Sequence, residues 1–154
     1  MIMKQYPVRR ATAPTLHLLA SPDGSGTSDL ARELERSHPA VRFTLDEWMQ
    51  QLYRLPDDDP GYREFADRCT ALIWDTAGQV LGAGTDAVLD WNLWSRSERT
   101  AWRDRARIAG FRAVVHLLPG RAGRSDPRFE EPCADEELEI RIVSPERKLP
   151  SSLD

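Results

Sequence analysis

The chain has 154 residues, 40% of them hydrophobic and 30% charged, which suits one compact soluble domain with a sizeable core. Its net charge of -4 gives no general affinity for nucleic acid or an anionic membrane, so neither is expected as a partner. No apolar run approaches a bilayer span, and the two cysteines, Cys69 and Cys133, follow no metal or redox spacing. They read as reduced thiols of a cytoplasmic protein.

Residues 1–14 carry Lys4, Arg9 and Arg10 without an apolar stretch behind them, and are expected to be a flexible leader, not a signal peptide. Thr15 to Ala20 is a short apolar run ending at a Pro/Asp/Gly/Ser cluster, a buried strand followed by a loop. Ser28 to Ser37 places Leu30, Ala31 and Leu34 at helical spacing. Val41 to Thr44 reads as a second strand, and Thr44 with Glu47 as a capping box opening a helix with Trp48, Met49, Leu52 and Tyr53. After a breaker at Leu55 to Gly61, one stripe carries Tyr62, Phe65, Cys69, Leu72, Ile73, Thr76 and Val80 along a long helix.

Ala87 to Asp90 is the expected third strand. Ser95 and Glu98 form a second capping box, for a helix running to about Gly110. Phe111 to Leu118 is a fourth strand, Pro119 to Pro127 a loop, and Leu138 to Val143 an edge strand. Alternating strands and helices predict an α/β fold with a parallel sheet of about five strands and helices on both faces. The expected division is one domain over 15–144, with a flexible tail at 145–154.

The loop after the first strand, Ser21 to Ser28, stands in the strand-to-helix context of the phosphate-binding pattern G-x-x-x-x-G-K-[ST] and departs from it at two positions. Gly24 and Gly26 permit close backbone approach, and the amides of Gly24, Ser25, Gly26, Thr27 and Ser28 form a nest suited to an anion. The Ser28 hydroxyl suits Mg²⁺. Ser21 replaces the first glycine and Thr27 the lysine. Losing that one preorganised donor costs on the order of 3–4 kcal/mol of charge stabilisation. Of the 21 basic residues only Lys4 and Lys148 are lysines, both far from the loop in sequence. Arg32, Arg96, Arg121 and Arg124 are candidate substitutes, although a guanidinium does not reproduce an ammonium at a tight phosphate site. Asp29 adds a negative charge in the first helical turn, where it also favours the helix dipole. A glycine-rich turn that binds nothing fits the loop residues equally well.

Three stretches together carry a resemblance: Leu16 to Leu34 (LHLLASPDGSGTSDLAREL), Leu45 to Met49 (LDEWM) and Val88 to Arg99 (VLDWNLWSRSER). The chain resembles bacterial P-loop ATP-binding, kinase-like proteins related to chloramphenicol phosphotransferase and the zeta toxins, over roughly Leu16 to Leu118. The resemblance implies a P-loop kinase-like three-layer fold, and ATP and Mg²⁺ as cofactors if nucleotide binding survives. It implies Asp46 as general base toward a small-molecule hydroxyl, Ser28 and Asp90 at the metal, and Arg96 at phosphate or paired with Asp90. Asp46 is also an ordinary acid at a helix start.

Two departures stand out. The Walker A lysine is missing, and Pro119 to Pro127 is too short and too rich in breakers for the arginine-bearing lid helix of the family, so the lid is expected to be reduced or absent. Trp48, Trp91 and Trp94 are candidates for lining a small-molecule pocket, while Trp74 and Trp102 read as core. His17, His38 and His116 lack a partner acid at catalytic spacing. Three functions follow: a degenerate kinase-like protein with weak or lost phosphotransfer, a repurposed enzyme using the former acceptor pocket without nucleotide, and a non-catalytic binding scaffold.

Overall fold

The computed structural model describes residues 13–37 and 39–144. Most of the leader, the tail and His38 lie outside the described residues. The elements run β1 (Thr15–Ala20), α1 (Thr27–Ser37), β2 (Ala40–Phe43), α2 (Leu45–Leu52), α3 (Tyr62–Gly82), β3 (Asp86–Asn92), α4 (Arg96–Ile108), β4 (Arg112–Leu117) and β5 (Glu139–Ile142). A short 3-10 turn, Ala134–Glu136, precedes β5. All neighbouring strands pair in parallel, in the order β2-β3-β1-β4-β5.

Strand alternation divides the core into two layers. Leu16, Leu18, Ala87 and Leu89 pack with Ile73, Ala77 and Leu81 of α3 and Trp102 and Ala106 of α4. On the other face Leu19 and Val88 pack with Leu30, Ala31 and Leu34 of α1. Helices therefore cover both faces of a five-stranded parallel sheet, the three-layer α/β fold predicted from the sequence. The outer strand β5 lies at the sheet edge, and residues 118–133 contain no helix. No helix among the described residues is long and apolar enough to cross a membrane.

Two local expectations need correction. Thr44 adopts an extended N-cap conformation, but its side chain makes no cap hydrogen bond. Its hydroxyl is drawn instead to Asp90. The Ser95 box holds at its serine, whose hydroxyl accepts from the Glu98 amide. The buried stripe of α3 is Cys69, Ile73, Ala77 and Leu81, whereas Leu72 is half exposed. Leu72 belongs to the neighbouring face one position away, turned toward α2.

Candidate functional site

The β1-to-α1 loop opens at the carboxyl end of the central strand, between β3 and β4, where α/β folds of this kind place ligands. Gly24 and Gly26 have φ of 76° and 79°, left-handed values that side-chain-bearing residues avoid. Space is limiting as well: a Cβ on Gly26 would lie 3.0 Å from Leu118 Cδ2. Both glycines are thus required by the turn itself.

Asn92 pins the start of the loop. The Ser21 amide donates to Asn92 Oδ1 at 2.8 Å, and Asn92 Nδ2 donates to the Ser21 carbonyl at 2.9 Å. The side-chain amide thereby continues the β1–β3 ladder, where the strand register shifts between His17 and Leu19. Within the loop, Asp23 Oδ1 accepts from the Ser25 amide at 3.0 Å, the Ser25 hydroxyl at 2.6 Å and the Ser21 hydroxyl at 3.1 Å. Its second oxygen accepts from the Arg121 amide at 3.0 Å. Hydrogen bonds from the Ser25 hydroxyl, the Ser25 amide and the Arg121 amide hold the Asp23 carboxyl well below the usual carboxylate range.

Thr27, at the lysine position, is buried, with its hydroxyl 3.4 Å from the Gly24 carbonyl. Next to it the Ser28 hydroxyl donates to Asp90 Oδ1 at 3.1 Å, so the two residues proposed for a metal do stand together. Asp90 Oδ2 accepts from Arg42 Nη1 at 2.8 Å and from the Thr44 hydroxyl at 3.3 Å. Arg42 also donates to Thr44 and, through Nε, to Glu35. Burial works against the Arg42 charge, but Asp90 and Glu35 outweigh it and raise its pKa. A guanidinium from β2 therefore neutralises the buried carboxylate at the end of β3.

Other candidates are dispersed. Asp46, at the start of α2, lines a surface groove of about 640 Å³ with Glu47, Trp48, Gln50, Gln51, Leu52 and Leu72. The Tyr62 phenol is raised by burial and then by the charges of Asp46 and Asp57. Trp48 tilts against Phe43. Trp91 instead packs edge-on to Trp102, which packs on Trp74, on the α3/α4 face of the sheet. Trp94 lies beside the loop, its ring edge 3.8 Å from a Cβ placed on Gly24, and the Arg128 guanidinium covers it at 5.2 Å. Trp48 lines the groove at α2, and Trp91 and Trp94 are not among the residues that line it. Arg96 pairs with Asp135 at 2.8 Å, not with Asp90.

Several residues escaped the sequence reading. Arg99 and Glu136 form a fully buried ion pair, with Arg99 Nε on Oε1 at 2.7 Å and Nη2 on Oε2 at 3.2 Å. Arg99 Nη1 reaches the Leu93 carbonyl, which ties the end of β3 to the turn before β5. His17 does have an acid partner: Nε2 lies 3.0 Å from Asp86 Oδ2, and Nδ1 lies 2.9 Å from His116 Nε2, all buried. These partners are separated by between 37 and 99 residues, beyond any local spacing rule. Arg42 carried one signal, a cation placed one residue before the end of a strand.

A protein-family profile described as an AAA domain matches residues 16–123, well over half of the chain. The chain belongs to this AAA-domain family. Among solved structures, APS kinase from Mycobacterium tuberculosis is 15% identical with a TM-score of 0.60, over 88% of this chain and 89% of that one. A chain of the Pnkp1/Rnl/Hen1 complex is 16% identical with a TM-score of 0.59, over 92% of this chain and 45% of that one. A candidate kinase from Chloroflexus aurantiacus is 17% identical with a TM-score of 0.55, over 70% of this chain and 60% of that one. This AAA-domain chain thus has a P-loop kinase-like fold, and it spans roughly half the length of the last two. No curated protein matches it.

Proposed function

We propose that this chain is a degenerate P-loop kinase-like protein in which ATP-dependent phosphotransfer to a small-molecule hydroxyl is weak or lost. The observation that carries the reading is the pairing of Asp90 with Arg42 beside Ser28. A metal-binding Ser/Asp pair works by offering oxygens to Mg²⁺ and substrate phosphate. Here one Asp90 oxygen accepts from Ser28 and the other from a guanidinium. Mg²⁺ would have to displace a buried ion pair to enter.

The anion side has the same character. Thr27 brings no charge, and its hydroxyl turns back to Gly24. The Ser25 amide and hydroxyl already serve the Asp23 carboxylate. The residues present therefore do not fit Mg-ATP as they stand. The relation to chloramphenicol phosphotransferase and the zeta toxins belongs to the same proposal, as a statement of ancestry.

A second reading rests on the groove at α2. It is open, it has apolar walls in Trp48, Leu52 and Leu72, and Asp46 stands at its edge. Those features favour a retained small-molecule site that operates without nucleotide. Calorimetry with Mg-ATP tests the first reading: binding no tighter than about millimolar supports it, and micromolar binding overturns it.

A further inference from the structure

Strand β5 closes one side of the sheet, and among the described residues no strand pairs with its far edge. The Val143 amide donates to the Leu117 carbonyl at 2.9 Å, and backbone groups alternate in direction along a strand. The amides and carbonyls of Glu139 and Arg141 therefore face β4, whereas those of Ile140 and Ile142 turn outward. Side chains leave this edge open: Glu139 and Arg141 are exposed, and Ile142 is 81% exposed. Outward groups of this kind are a template for a further strand.

The sequence of the strand, Glu-Ile-Arg-Ile, decides which strand fits. Glu139 and Arg141 share one face of the sheet, where Arg141 Nε donates to Glu139 Oε1 at 3.0 Å and Arg112 pairs with Glu139 as well. An edge carrying charges of one sign repels its own copy in every register. One charge of each sign, two residues apart, repels in some registers and attracts in another. We propose that β5 pairs antiparallel with β5 of a second copy of this chain, with Ile140 set directly across from Ile140, so that two sheets continue as one.

In that register the outward groups of Ile140 meet their own equivalents, and Glu139 of each copy lies across from Arg141 of the other. Centring the pair on Glu139 sets Glu139 against Glu139, and centring it on Arg141 sets Arg141 against Arg141, both destabilising. Setting Ile140 across from either charged residue misaligns the outward groups and sends facing side chains to opposite faces. Both copies use the same edge, so the contact closes at a dimer. A ladder of four-residue strands is smaller than the roughly 1,200–2,000 Å² of a stable interface. The association is accordingly weak, with a dissociation constant of about 0.1 mM. It stands apart from the nucleotide reading, because β5 contributes nothing to Ser28, Asp90 or Arg42.

Sedimentation velocity of the full chain in low salt, from about 10 μM to about 1 mM, reads the association. The wild type should pass from monomer to dimer over this range. Glu139→Arg sets arginine across from arginine and Arg141→Glu sets glutamate across from glutamate, so each should weaken the dimer roughly tenfold or more. Mixed in equal amounts, the two arginines of one variant meet the two glutamates of the other, and the dimer should return as a heterodimer. Mixing would not repair a fold damaged by loss of the Arg112–Glu139 pair. Ile142→Pro removes an outward amide and no bond to β4, and should also favour the monomer. The proposal is overturned if the wild type stays monomeric throughout, the result expected if residues 145–154 of the chain itself occupy the edge. A dimer insensitive to these substitutions, a mixture that stays monomeric, or species larger than a dimer overturns it equally. Micromolar Mg-ATP binding contradicts the functional proposal and leaves these outcomes intact.

Discussion

Replacing Arg42 by methionine keeps much of the aliphatic stem and removes the cation from Asp90. The Asp90 side chain is 2% exposed and that of Arg42 18%, so the variant leaves a buried carboxylate without its counter-charge. Breaking a fully buried pair costs about 3–5 kcal/mol. Asp90 keeps hydroxyl donors from Ser28 and Thr44, and Arg42 is partly solvated, which places the expected loss at about 2–3 kcal/mol. At this chain length that corresponds to a drop in melting temperature of roughly 4–12 °C. The vacated site then faces Ser28 and Asp90 with no cation, and a divalent ion has reason to enter. Millimolar Mg²⁺ should restore about 1 kcal/mol or more to Arg42→Met while leaving the wild type unmoved. Denaturant melts of both proteins with and without Mg²⁺ measure this. The reasoning is refuted if the variant is as stable as the wild type, or if Mg²⁺ stabilises the two equally.

The lysine position offers a gain-of-function counterpart. Thr27→Lys should raise Mg-ATP affinity about tenfold or more by calorimetry, because it returns a cation to a nest whose backbone is already shaped. Unchanged affinity would mean that the Arg42 and Asp23 contacts, and not the missing ammonium, close the site. Glu136→Gln should cost about 3–5 kcal/mol in denaturant melts, since it strands the fully buried Arg99 charge. Burial disfavours the Glu136 carboxylate, but the Arg99 hydrogen bonds and the Cys133 amide prevail and lower its pKa below the ordinary 4.5. Its contribution is therefore fully present above the unfolded-state value and fades as pH falls below about 4.5 toward the folded value. That acid-side loss should be blunted in Glu136→Gln.

The layers of the fold were legible because they rest on local periodicity. Leu30, Ala31 and Leu34 announce α1, the apolar run Thr15–Ala20 announces the central strand, and the glycines between them announce the turn. Ser28 and Asp90 stand side by side because one lies in the first turn of α1 and the other near the end of the adjacent strand. What the sequence concealed is how charges are satisfied across elements. Arg42 meets Asp90 over 48 residues, Asn92 clasps Ser21 over 71, and Arg99 meets Glu136 over 37. The Thr44–Glu47 pattern misled for the same reason, because a hydroxyl suited to capping a helix was claimed by Asp90. Trp48, Trp91 and Trp94 look alike in sequence, yet Trp48 on α2 meets Phe43, Trp91 on β3 meets Trp102, and Trp94 in the turn after β3 lies under the Arg128 guanidinium.

Under the proposed function, the protein's own side chains satisfy the nucleotide end of this kinase-like fold, and titrating the wild-type chain with Mg-ATP in a calorimeter tests this directly. No saturable heat tighter than about millimolar is expected, whereas a dissociation constant in the micromolar range would mean that the nucleotide end is still open to its ligand.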